Sequence, residues 1–250
     1  MLLIHGLGAS VATWRDNIAP LSEAFRVYAV DLPGHGDSDK PDIDYAADSV
    51  VRYLRDFVET LELDGQTAII GSSVGGALAL TLALDYPERF SRLVVVGSAS
   101  LGREVSWYLR LASIPGIGSV LEGSRAGGTR FMLSAVFYDR RFVTQELQDE
   151  LSRSRELPGA KEAVVRVIRN TVSLRGVRKQ YVLLDRLGHL NTPLLVVLGA
   201  QDRIVPVSHA YLASKAVPNA WLQVFDQCGH WPHMEKATAF NSLVLRFLTQ

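Results

Sequence analysis

Through the first hundred residues, short aliphatic runs alternate with longer stretches in which apolar positions recur every three or four residues. Leu2–Ile4, Val27–Val30, Ala68–Ile70 and Leu93–Val96 are continuous runs that end in Asp, Gly or Ser turns. Continuous rather than alternating apolar character predicts parallel strands covered on both faces. Between them, Trp14–Phe25, Ser49–Leu63 and Val74–Asp85 carry helical spacing. In the second of these, Val50, Leu54, Phe57, Val58 and Leu61 form one stripe, with Arg52, Arg55, Asp56 and Glu59 outside it. The pattern returns late in the chain, with strands at Leu194–Leu198 and Leu222–Phe225 and helices at Ser208–Ala216 and Thr238–Leu248. The prediction is an α/β fold with a doubly wound, mostly parallel sheet.

Residues 101–186 break the alternation. They are rich in Arg and Leu, have helical periodicity, and are interrupted at Pro115-Gly116, Gly127-Gly128 and Pro158-Gly159. This predicts a core built from 1–100 and 187–250, with 101–186 as a helical cap inserted above the sheet.

Composition narrows the function. The 250 residues hold 26 Lys+Arg against 26 Asp+Glu, a balance that argues against a nucleic-acid binder. A lone cysteine, Cys228, excludes a disulfide framework and leaves no thiolate partner for a metal site. No apolar run approaches the roughly 20 residues needed to span a bilayer. The amino terminus carries no secretory pattern, so the expected setting is the cytoplasm. What remains is a protein with enough core for a pocket and a small-molecule substrate.

Three loops carry candidate chemistry. Gly71-Ser-Ser73-Val-Gly75 follows a predicted strand and opens a predicted helix, the context in which G-x-S-x-G forms a nucleophile elbow. Taken alone, Ser73 could equally be a helix N-cap. Gly199-Ala-Gln-Asp202-Arg-Ile-Val-Pro206 and Cys228-Gly-His230-Trp231 both leave the carboxyl ends of strands, where open α/β sheets place their sites. The chain order Ser73, Asp202, His230 is the order used by nucleophile-elbow hydrolases. The turn His5-Gly6-Leu7-Gly8 offers the amide of Leu7, beside that of Val74, as an oxyanion hole. His233 is the rival base, His5 reads as structural, His35 as a polar-loop residue, and His189 and His209 as exposed. Asp226 reads as a surface turn residue. No metal-binding motif is present.

Together with Asp31-Leu-Pro-Gly-His-Gly-Asp-Ser38, these motifs resemble the α/β-hydrolase superfamily, serine-nucleophile branch, over nearly the whole chain. The resemblance implies Ser73 as nucleophile, His230 as general base and acid, Asp202 as the residue fixing the imidazole tautomer, and no cofactor. It also implies that two opening strands of the family sheet are missing, so that either the native start lies upstream of this sequence or Val27–Val30 is a bare edge suited to pairing in a homodimer.

The expected reaction is hydrolysis of a small or medium carboxylic ester through an acyl-enzyme. The alternative is carbon–carbon hydrolysis of an anionic diketo acid, because Trp231 after His230 is similar to the tryptophan of meta-cleavage-product hydrolases, which use a lid arginine. Eight basic residues between Arg153 and Lys179 read mainly as a solvated face, with Arg155 or Arg169 as the one that could meet a substrate carboxylate. A third reading is a non-catalytic ligand receptor on the same fold. The apolar residues Trp107, Tyr108, Leu109, Phe131 and Met132 suggest a greasy pocket.

Overall fold

The computed structural model of the chain describes residues 1–122 and 125–250. Six strands form one sheet: β1 (Leu2–Ile4), β2 (Tyr28–Val30), β3 (Thr67–Ser72), β4 (Phe90–Val96), β7 (Leu194–Gly199) and β8 (Trp221–Phe225). Their order is β2-β1-β3-β4-β7-β8, and every pairing is parallel. β2 is an edge strand, as the family resemblance implies.

The continuous apolar runs serve two cores. Leu93 and Val95 belong to a cluster with α2 (Ala47–Thr60), α3 (Val74–Asp85) and α9 (Ser208–Ala216). Val94 and Val96 belong to the cluster on the other face, with α1 (Arg15–Ser22) and α11 (Ala237–Leu248). Successive side chains of a strand point to opposite faces, so a strand sandwiched between helix layers has no position left for a polar residue. On α2 the buried stripe is Val50, Val51, Leu54 and Val58. The first predicted helix is shorter than its apolar pattern: Val11–Trp14 is a 3-10 turn, and α1 ends at Ser22.

Between β4 and β7 the chain forms α4 (Trp107–Ala112), α5 (Ile117–Glu122), α6 (Arg125–Val136), α7 (Gln145–Arg155) and α8 (Ala160–Thr171). Pro115-Gly116 and Pro158-Gly159 separate helices as expected, whereas Gly127 and Gly128 lie inside α6. A two-stranded hairpin, β5 (Val172–Ser173) and β6 (Gly176–Val177), follows. Strands of two residues leave no periodicity to read. The short α10 (Pro232–Glu235) links β8 to α11. No helix among the described residues is long and apolar enough to cross a membrane.

Candidate active site

Ser73 joins β3 to α3 with φ +54° and ψ −115°, a conformation that non-glycine residues adopt only when their surroundings impose it. It stands at the N-cap position of α3, but its side chain makes no capping bond, so the hydroxyl is not spent on the helix. The strain is held by close backbone packing. A Cβ on Gly71 would run into the carbonyl of Gly75, and one on Gly75 into the carbonyls of Ile4 and His5. Ser73 is further anchored by its amide, which donates to the Val96 carbonyl at 2.7 Å.

The next residue, Gly97, has φ +54°, and a Cβ there would lie 3.0 Å from Nδ1 and Cε1 of His230. The imidazole therefore packs against backbone adjacent to the carbonyl that anchors Ser73. His230 Nδ1 donates to Asp202 Oδ2 at 2.7 Å, with both side chains buried. Oδ1 of Asp202 accepts the amides of Ile204 at 2.7 Å and Val205 at 2.9 Å, which fixes the carboxylate in the turn after β7. With Nδ1 engaged as donor, Nε2 is the ring nitrogen left to accept a proton.

On the opposite side, Gly6 comes so close that a Cβ would sit 3.1 Å from Ser73 Cβ. Leu7 and Val74 line the same cavity as Ser73 and His230. His5 shapes this turn: Nδ1 donates to the Gly6 carbonyl at 2.7 Å, and Nε2 accepts the Leu32 amide at 3.0 Å. Burial lowers its pKa to about 4, so it is a neutral structural residue, as the sequence suggests.

The cavity holds about 810 Å³ and is walled largely by apolar residues, among them Tyr108, Leu109, Phe131 and Met132. Trp231 borders it too, yet is buried and meets Phe137 edge-on at 5.3 Å between centroids. Arg155 reaches from the end of α7 into the cavity wall, its Nη1 3.4 Å from the Gly8 carbonyl and 3.1 Å from Met132 Sδ.

Several sequence expectations change. Arg169 is exposed and does not border the cavity, because its position on α8 faces away from the buried stripe Val164, Val165, Val167 and Ile168. His209 is fully buried, with Nε2 3.1 Å from Glu104, since α9 turns it onto Gly102. His35 is also buried, under the loop that contains it. His233 is enclosed by Trp14, Trp231 and Phe240, and burial, with a smaller repulsion from His230, lowers its pKa to about 3. Asp226 is exposed and accepts from the Gln201 side chain, as a turn residue does. Arg153 and Arg166 pair at the surface with Asp37 and Asp42.

Glu235 was missed by sequence reasoning. Its buried carboxylate accepts three backbone amides: Gly229 at 2.5 Å on one oxygen, and Tyr138 at 2.9 Å and Asp139 at 2.8 Å on the other. The His230 amide also donates to Val136 at 2.6 Å. The end of α6 is thereby fastened to the loop that holds the imidazole. The only sequence signal was an acid five residues after His230; two of its three amide partners lie about a hundred positions away.

Residues 1–243 match the Alpha/beta hydrolase family. The 2-hydroxy-6-oxo-6-(2'-aminophenyl)hexa-2,4-dienoic acid hydrolase of Metapseudomonas resinovorans is 32% identical over 100% of this chain and 84% of its own length. A 2-hydroxy-6-oxononadienedioate/2-hydroxy-6-oxononatrienedioate hydrolase of Pseudomonas putida is 33% identical, over 100% of this chain and 87% of its own. Among solved structures, the meta-cleavage product hydrolase of Pseudomonas fluorescens IP01 superposes with a TM-score of 0.82 at 30% identity, covering 99% of this chain and 89% of that one. With a strained serine elbow, a buried His–Asp pair and a glycine turn converging on one cavity, and with these likenesses running the length of the sequence, the chain belongs to the alpha/beta hydrolase family.

Proposed function

We propose that the protein is a serine hydrolase that cleaves the carbon–carbon bond beside the ketone of an anionic 2-hydroxy-6-oxo-dienoate. In this reading Ser73 is the nucleophile, His230 the general base and acid, Asp202 its orienting partner, and 101–186 a cap over the site. The observation that carries the reading is the position of Arg155, which lies in the cavity wall against Gly8, two residues beyond the glycine that abuts Ser73.

The chemistry follows from the groups present. Ser73 Oγ adds to the ketone carbonyl as His230 Nε2 takes its proton. The amides of Leu7 and Val74 receive the oxyanion. Before this addition the 2-hydroxydienoate tautomerises to the 2-oxo-3-enoate, its hydroxyl proton moving to the carbon beside the ketone. When the intermediate collapses, the carbon–carbon bond breaks, its electron pair passes through the enone to the C2 oxygen, and the imidazolium protonates that oxygen. Water activated by His230 then releases the acyl group from Ser73. A carbon leaving group is poor unless its charge is delocalised towards the far carboxylate, and a guanidinium at that end suits the task.

The names of the relatives support this bond over an ester. Ester hydrolysis, the expectation from sequence, needs the same serine, histidine and amides but no cation. Loss of the dienolate absorbance on mixing with a 2-hydroxy-6-oxo-6-phenyl-dienoate tests the choice. Arg155→Gln is expected to lower kcat/KM for that substrate by about a hundredfold, the scale of one charge-assisted bidentate contact, and to leave p-nitrophenyl acetate within about threefold. Rapid acetate turnover with no dienoate cleavage would return the assignment to an ester.

A further inference from the structure

The cavity is larger than the immediate surroundings of Ser73, and its extra volume has a direction. Val74, Ala77, Leu78, Thr81 and Asp85 all border it, and they occupy the i, i+3, i+4, i+7 and i+11 positions of a single face of α3. At 1.5 Å per residue, that face extends about 16 Å from the nucleophile elbow to the helix end. Val51 on α2 and Ile168, Val172 and Tyr181 from the segment after α7 border the same cavity.

The α3 face presents no polar side chain available to a ligand before its end. Thr81 donates its hydroxyl to the Ala77 carbonyl of its own helix at 2.9 Å. The far end is polar: Asp85 and Arg186, both bordering the cavity and both partly exposed, pair at 2.6 Å. This geometry is a passage with small, apolar residues along one side and an ion pair at its outer limit. Arg155 borders the cavity from the end of α7 and Gly8 from the turn after β1, neither of them on α3, so a carboxylate held by Arg155 leaves the α3 face to the other end of the molecule.

We propose that the α3 face is an acyl-chain site for an extended, uncharged aliphatic chain of up to about a dozen carbons, the length that matches a helix face of about 16 Å. The inference rests on Ser73 being the nucleophile but not on which bond is cut. In either case a bond forms between Ser73 Oγ and the carbonyl carbon, the carbon–carbon or carbon–oxygen bond breaks, and the group that stays on the serine is the one lying along α3. The Asp85–Arg186 pair sets the limit of chain length by making further extension meet charge and solvent.

The test is a series of p-nitrophenyl esters from acetate to decanoate, with wild type and Thr81→Phe. In the wild type kcat/KM rises at least tenfold from butanoate to decanoate. Thr81→Phe, which places a ring across the passage, reduces the decanoate-to-acetate ratio of kcat/KM at least tenfold. Arg186→Ala opens the outer limit and moves the preference to longer chains. A flat wild-type series, or a ratio unmoved by Thr81→Phe, overturns the proposal. If no ester is hydrolysed at all, calorimetric titration of Ser73→Ala with butanoate and decanoate decides the site. Decanoate binding at least tenfold tighter, and lost on adding Thr81→Phe, upholds it; equal binding overturns it.

Discussion

At the scale of single residues, the site is a set of side chains whose freedom has been removed by backbone. Ser73 is held in a positive-φ conformation, Asp202 is fixed by two amides, and His230 is pressed between Gly97 and Asp202. Glu235 extends this to the end of α6. A carboxylate serves all three of its amide donors, whereas a glutamine at the same place turns an NH2 group towards at least one of them. Glu235→Gln is therefore expected to cost about 1–3 kcal/mol of stability, the penalty of a buried unsatisfied donor. It should also slow labelling of Ser73 by a fluorophosphonate about tenfold at a temperature where the variant is fully folded. Urea unfolding and a labelling time course measure the two effects; an unchanged labelling rate would separate Glu235 from the imidazole. Ser73, Asp202 and His230 were legible in the sequence because each sits in a local motif beside a glycine or at the end of an apolar run. Glu235 was not, because its role depends on amides brought in by tertiary packing. The burial of His209 was hidden for the same reason.

At the scale of elements, the elbow works because β1, β3 and α3 approach more closely than side chains allow. Gly75→Ala places a methyl against the Ile4 and His5 carbonyls, and backbone must move to admit it. The expected cost is about 2 kcal/mol or more, read as a lowered urea midpoint, together with loss of fluorophosphonate labelling. Labelling at the wild-type rate would mean that the turn tolerates a wider gap than its packing indicates. The core elements were readable from sequence to within a few residues, since parallel strands between two helix layers leave an unbroken apolar signature. Between β4 and β7 the sequence yielded helices but not their arrangement. There the helices are short, the hairpin strands have two residues each, and a glycine pair lies inside α6, so local pattern says little about arrangement.

At the scale of the whole molecule, five imidazoles among the described residues are buried, and three of them, His5, His35 and His233, resist protonation because they are buried. Burial lowers their pKa values to about 4, 3 and 3 respectively. The unfolded chain takes up these protons near pH 6.5 while the folded chain resists them. Their contribution is thus complete above pH 6.5 and is lost progressively as pH falls towards 4 and 3. Each costs on the order of 2 kcal/mol between pH 6.5 and 5. His233→Phe, in a cage of Trp14, Trp231 and Phe240, should flatten the fall in stability over that range by about that amount, whatever its effect at neutral pH. Urea unfolding of both proteins at pH 6.5 and pH 5 checks this, and parallel losses would place the acid sensitivity elsewhere.

All of these effects matter for function only if the assembled groups activate Ser73. The direct measurement is the intact mass of the wild type and of Ser73→Ala after incubation with a fluorophosphonate. The account predicts a single adduct on the wild type and none on the variant. A folded wild type that takes up no adduct, or a variant that still takes one up, would contradict it.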